Sequence, residues 1–140
     1  MNPAALDFLR RERMSLLCLL LEDGSPHAAA MHFDLQDDPL ILYFSTHFGN
    51  RKLAGLQAGR TQASVVVGFS ETDWITLQMD GHCEIITPAG SAPAKNLLLA
   101  KYPEAAKHIS ESTVFLKFTP AWYRYTEFKS NPLVKIEQSL

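Results

Sequence analysis

The segment from Trp74 to Ile86, "WITLQMDGHCEII", constrains this chain most. Ile75, Leu77, Met79, Cys83 and Ile85 fall on one side of it, and Trp74, Thr76, Gln78, Asp80 and Glu84 on the other. A period of two over this length predicts an extended strand with one face in a core. Such a strand needs neighbours, and the rest of the sequence offers them. "TQASVVVGF", just upstream, reads as a continuous apolar strand covered on both faces. Asp23-Gly24 lies between the apolar runs "MSLLCLLLE" and "PHAAAMHFDL", a strong hairpin signal. A second turn, "QDDP", leads into "LILYFST", so three consecutive strands are expected as an antiparallel meander. "STVFLKFT" and "AWYRYTEF" supply two more strands.

Helical segments are few and short. Pro3 to Arg13 carries an apolar stripe of Leu6, Phe8 and Leu9. "NRKLAGLQAG" ends on Gly59, and "SAPAKNLLLAKYPEAAKHI" is broken at Pro103. The stretch from Lys129 to Leu140 shows no pattern. The expectation is a mainly β (α+β) fold of about six to seven antiparallel strands closing into a small barrel, with short flanking helices. One domain spans 1–140, with an ordered core over about 5–130 and a tail at 131–140.

Composition excludes several functions. With 46% hydrophobic and 20% charged residues, the chain has an ordinary globular balance rather than a disordered one. A net charge of −2 provides no basic field for a nucleic-acid backbone. The apolar run "SLLCLLLE" is too short to span a bilayer, and "MNPAALDFLRRERM" lacks the apolar centre of a secretory signal. A cytoplasmic protein binding neither nucleic acid nor membrane is expected. Cys18 and Cys83 sit among apolar neighbours and read as buried free thiols. The five histidines show no zinc-ligand spacing, so no metal is expected. No protein nucleophile or acid–base pair is evident, so no catalytic residue is assigned.

The stretch "YFSTHFGNRKLAGL" poses a chemical question. Asn50 has the residue type of a helix N-cap, yet Arg51 and Lys52 follow in what should be the first helical turn. Cations there oppose the helix field, typically by ~0.3–1 kcal/mol. A bound phosphate reverses that sign, because each charge-assisted hydrogen bond contributes ~1.5–3 kcal/mol. His47, in the same link, reads as a loop histidine.

The order "LYFSTHFGNRKLAGL", "ASVVVGF", "WITLQMDGHCEII", then "AKYPEA" before "FLKFTPAWYRYTEF" resembles the FMN-binding split β-barrel proteins related to pyridoxamine 5′-phosphate oxidase. The resemblance covers roughly residues 5 to 130. It implies that Arg51 and Lys52 hold the FMN phosphate, with Asn50 where the family usually has Ser. It implies that Ser45 and Thr46 face the ribityl chain or ring, and that the backbone around Ala30 and Met31 lies against the ring. Gln78 matches a position that reaches the flavin. Trp122 and Arg124 lie on a strand that the partner subunit of a homodimer brings to the flavin edge, with Phe69, Trp74 and Trp122 as candidates for the seam. The oxidase's strand Arg and Lys are replaced here by "HAAAMHF", and its Arg-containing C-terminal segment by "NPLVKIEQSL". Vitamin B6 oxidation is therefore not expected. The reading is an FMN-binding oxidoreductase of unknown substrate. The alternatives are the same barrel holding deazaflavin, or haem on His32 or His82, and a non-catalytic flavin-binding dimer.

Overall fold

The alternating segment forms β6 (Ile75–Ile85), and the sheet is built outward from it. In the computed structural model, which describes residues 1–140, Leu77, Met79 and Cys83 are buried while Gln78, Asp80, His82 and Glu84 face outward. The other strands are β1 (Met14–Leu20), β2 (Pro26–His32), β3 (Asp34–Gln36), β4 (Ile41–His47), β5 (Gln62–Val67), β7 (Thr113–Glu127) and β8 (Val134–Ser139). All pairings are antiparallel, in the order β2-β1-β5-β6-β7-β4-β3, with β8 added to β7. The two ends of this path, β2 and β3, are joined through the single residue Phe33. The sheet therefore curls back on itself around a core that includes Leu17, Phe44, Val65, Met79 and Phe118. This is the mainly β split barrel with short flanking helices that the sequence implies.

Helix α1 (Pro3–Arg11) starts where Asn2 Oδ1 accepts the Ala4 amide at 2.9 Å, and it adds Ala5, Phe8 and Leu9 to the core. Helix α2 (Leu53–Gln57) follows β4. Helix α3 (Ala92–Lys101) buries Ala94 and Leu98 against Tyr43 of β4 and Phe115 of β7, and a 3-10 segment, Pro103–His108, continues from it after Tyr102. The Tyr102 hydroxyl reaches the carbonyl oxygens of Phe33 (2.5 Å) and Arg13 (2.9 Å), fastening this layer to the β2–β3 junction. Burial pushes the Tyr102 phenol up to about 12, so it stays a donor.

Several expectations need correction. The hairpin at Asp23-Gly24 forms, with Gly24 at φ +85°, but the meander stops there, because β2 pairs only with β1 and the chain re-forms as β3 against β4. The two strands expected around Pro120 are one, β7, which pairs with β4 through Thr113–Phe118 and with β8 through Trp122–Glu127. Pro120 lies at that handover, where its missing N–H leaves no ladder bond unmade, and the register slips opposite Gly81. The presumed tail forms β8, its Val134 and Ile136 packing against the core. β5 is buried on one face only, since Ser64 and Val66 stay partly exposed. Cys18 is partly exposed rather than buried, whereas Cys83 is buried as expected, and both thiols are free. No helix is long and apolar enough to cross a membrane.

Candidate functional site at the split between β2 and β4

β2 and the second half of β4 are neighbours without being partners. β4 pairs with β3 only through Ile41–Tyr43, and beyond that point it has β7 on one edge and no strand on the other. β2 likewise has β1 on one edge only. Each free edge carries backbone N–H and C=O groups with open valences. Between the two edges lies a pocket of about 300 Å³. Ala30, Met31 and His32 form the β2 wall, and Ser45, Thr46 and His47 the β4 wall. Lys52 closes one side, and Thr113 with Ala105, His108 and Ile109 covers the outside.

Helix α2 positions Lys52. An added Cβ on Gly55 would lie 1.7 Å from the Leu20 carbonyl oxygen, so only glycine lets α2 sit this close to the end of β1. The turn before it makes backbone bonds from Asn50 N to His47 O (3.2 Å), Leu53 N to Asn50 O (3.0 Å) and Ala54 N to Arg51 O (3.2 Å). These satisfy the amides that a side-chain cap would serve, so Asn50 does not cap. Its Nδ2 donates to Thr46 Oγ1 at 2.7 Å instead. The helix begins only at Leu53, which puts Arg51 and Lys52 in the turn ahead of it rather than in its first turn.

Lys52 Nζ donates to the same Thr46 oxygen at 3.2 Å. Burial lowers its pKa from the usual lysine value. None of the chain's salt bridges includes it. A partly buried ammonium with no carboxylate and two protons to spare has the chemistry that suits an anion. The pocket lining contains no Asp or Glu.

Arg51 goes elsewhere. It lines a neighbouring groove with Leu21, Glu22, Asp23 and Ala54. There the Asp23 carboxyl is held below its usual range by hydrogen bonds from Ser25, with a smaller contribution from Arg51. Gln78, Trp122 and Arg124 also lie apart, on the outer face of the sheet. Ala30, Leu16, Val66, Gln78 and Arg124 stand in register on consecutive strands. At ~4.8 Å per strand, Gln78 is roughly 14 Å from Ala30 and Arg124 roughly 19 Å. Arg124 Nε donates to Glu137 Oε1 at 2.6 Å, and its guanidinium lies 5.4 Å from the centre of the Trp122 ring. The pocket thus unites Ala30, Met31, Ser45, Thr46 and Lys52, with Asn50 at its rim. It leaves out Arg51, Gln78, Trp122 and Arg124.

Three features escaped the sequence. The His32 ring stacks on Tyr102, centroids 4.6 Å apart, and His108 and Thr113 join the pocket from segments remote in the chain. Only folding brings them there, and no local pattern announces it. His47, read from sequence as a loop residue, ends β4 and lines the pocket.

A curled antiparallel sheet with a lysine-bearing pocket in its split defines a split-barrel protein. Residues 1–127 match the family model described as pyridoxamine 5′-phosphate oxidase, and the chain belongs to that family. No functionally curated protein matches it. Among solved structures, a protein of unknown function from Agrobacterium tumefaciens superposes with TM-score 0.77 at 19% identity, over 87% of this chain and 54% of that one. A heme binding protein from Mycobacterium smegmatis gives 0.77 at 15%, over 99% and 59%. This chain therefore spans little more than half the length of either. General Stress Protein 26 from Bacillus anthracis gives 0.72 at 17%, over 97% and 95%. At these identities the likeness is one of fold.

Proposed function

We propose that this protein binds FMN in the split between β2 and β4 and acts as a flavin-dependent oxidoreductase. The observation that carries the reading is Lys52, a partly buried ammonium bonded only to Thr46 and free of any carboxylate. It fits a phosphate. The two open strand edges fit a planar heterocycle with polar groups along its rim, and the small side chain of Ala30 lets the ring approach the backbone. Ser45 and Thr46 offer hydroxyls to the ribityl chain between ring and phosphate. A bound flavin supplies two-electron redox chemistry, and the protein's part is to hold, orient and shield it.

The reading includes a homodimer. The outer face of β2-β1-β5 presents the exposed Ala28 and Ala30 beside the partly exposed Leu16, Cys18, Leu20 and Val66, a largely apolar surface. A second copy docked there would bring its Gln78, Trp122 and Arg124 to the open side of the pocket, which a single chain cannot do. Phe69 and Trp74, both more than half exposed, extend the candidate seam. β2 carries neither an Arg nor a Lys, so the substrate is expected to be something other than a vitamin B6 phosphate.

Calorimetric titration of FMN and riboflavin, with the visible spectrum of the purified protein, tests this. The expected result is a ten- to thousand-fold preference for FMN, or about 1.4–4 kcal/mol. Equal affinities would return Lys52 to the status of a solvated cation. A haem or deazaflavin spectrum in the purified protein would replace the cofactor.

A further inference from the structure

The β2 wall of the pocket carries no Arg or Lys. That strand is Pro26–His32, "PHAAAMH", and it contributes no permanent cation to the pocket. Lys52 alone is a modest counter-charge for a phosphate that carries up to two negative charges. The pocket wall shows what could make up the difference. His47 ends β4 on the strand's outward side, and its register partner on β7 is Thr113. His108 ends the 3-10 segment that lies over the same place. Both imidazoles line the pocket with Lys52 and the Thr46 and Thr113 hydroxyls. Neither makes a hydrogen bond or salt bridge within the chain, whereas His82, outside the pocket, is bonded to Thr61. An imidazole has at least one N–H to donate in either protonation state. The pocket thus has unengaged donors from three separate segments and no carboxylate.

We propose that His47 and His108 complete the phosphate site beside Lys52. This inference rests on the FMN reading above and adds to it two residues with a defined role. The phosphate is held between the ammonium of Lys52 on one side and two imidazole N–H donors on the other. His32 is not part of this group, because its ring is stacked on Tyr102 at the β3 end of the pocket.

The test uses the whole protein without its flavin. FMN and riboflavin are titrated calorimetrically into wild type and into His47→Asn, His108→Asn and the double variant. Thermal melting of each apo form establishes folding. Both histidines are exposed, so melting temperatures should not move. The double variant should lose at least tenfold of the preference for FMN, with riboflavin affinity changed less than twofold. A second readout is the imidazole NMR signals of the apo protein during titration with inorganic phosphate. Those of His47 and His108 should shift, and those of His27 and His82 should not. A wild type that prefers FMN, together with variants that keep the preference, overturns this inference and leaves Lys52 as the phosphate ligand. A wild type that shows no preference overturns the FMN reading and this inference with it.

Discussion

At the scale of the residue, Lys52 is a cation placed against its own solvation. Its folded-state pKa lies below its unfolded one because burial penalises the charge. The sign follows from linkage. In the apo protein the ammonium costs stability at every pH below its folded pKa, and that cost fades as pH rises through the ordinary lysine value. Lys52→Met should therefore melt higher than wild type at neutral pH, with the gap closing in the alkaline range. The same variant should lose at least tenfold of the preference for FMN over riboflavin, about 1.4 kcal/mol. Wild-type FMN affinity should begin to fall at a pH below the usual lysine pKa. A variant that melts lower and still distinguishes the two flavins would mean that Lys52 is a structural residue bound to Thr46 and nothing more. Arg51, its neighbour in sequence, is not expected to matter as much, since it faces the groove beside Asp23. That difference could not be read from the adjacent pair "RK", because neighbouring residues in a turn point in divergent directions.

At the scale of the element, the site depends on how closely α2 lies on β1. Gly55→Ala would put a methyl carbon against the Leu20 carbonyl, which is backbone and cannot yield by changing rotamer. The helix must move out and carry the 50–52 turn with it. The expected cost is about 1–3 kcal/mol of stability, as for other overpacked contacts, together with weaker FMN binding. Gly90→Ala, whose new methyl would meet nothing closer than Thr87 Oγ1 at 3.4 Å, is the control and should be nearly neutral. Denaturant melts and FMN titration of both variants check this, and a Gly55→Ala protein as stable as wild type would contradict the close approach. Elements with a local signal were legible in the sequence. The alternation of β6, the Asp23-Gly24 hairpin and the break at Pro103 are each written within a dozen residues. β7 and β8 were misread because their logic is not local. Pro120 breaks the apparent pattern, yet it sits where β4 hands over to β8, and nothing near Pro120 reveals that. β8 turns only Val134 and Ile136 toward the core, too few apolar positions to declare a strand.

At the scale of the whole molecule, the candidate site divides into residues that share a pocket and residues that one chain cannot bring together. Ser45, Thr46 and Lys52 were legible because they lie within eight residues and one turn folds them together. Gln78, Trp122 and Arg124 were named by family resemblance, and they lie several strands away on the outward face of β6 and β7. The proposed homodimer would reconcile the two sets, and it predicts more than a mass. Sedimentation should give about twice 15.7 kDa at micromolar concentration. If Arg124 serves the partner's pocket, Lys52→Ala and Arg124→Ala are defects in the two halves of one shared site. Mixing the two variants after reversible dissociation should then create hybrid dimers in which one site carries both defects and the other carries none. With random reassortment, half of the dimers are hybrids, so about a quarter of all sites should recover wild-type FMN affinity. Calorimetric titration of the mixture against each parent alone reads that fraction directly. If Arg124 instead served its own chain's pocket, every hybrid site would retain one defect and no recovery would appear. Recovery would also be absent if Arg124 remained bound to Glu137 in the dimer and met no ligand, but then Arg124→Ala alone would bind FMN like wild type, and that parental titration separates the two cases.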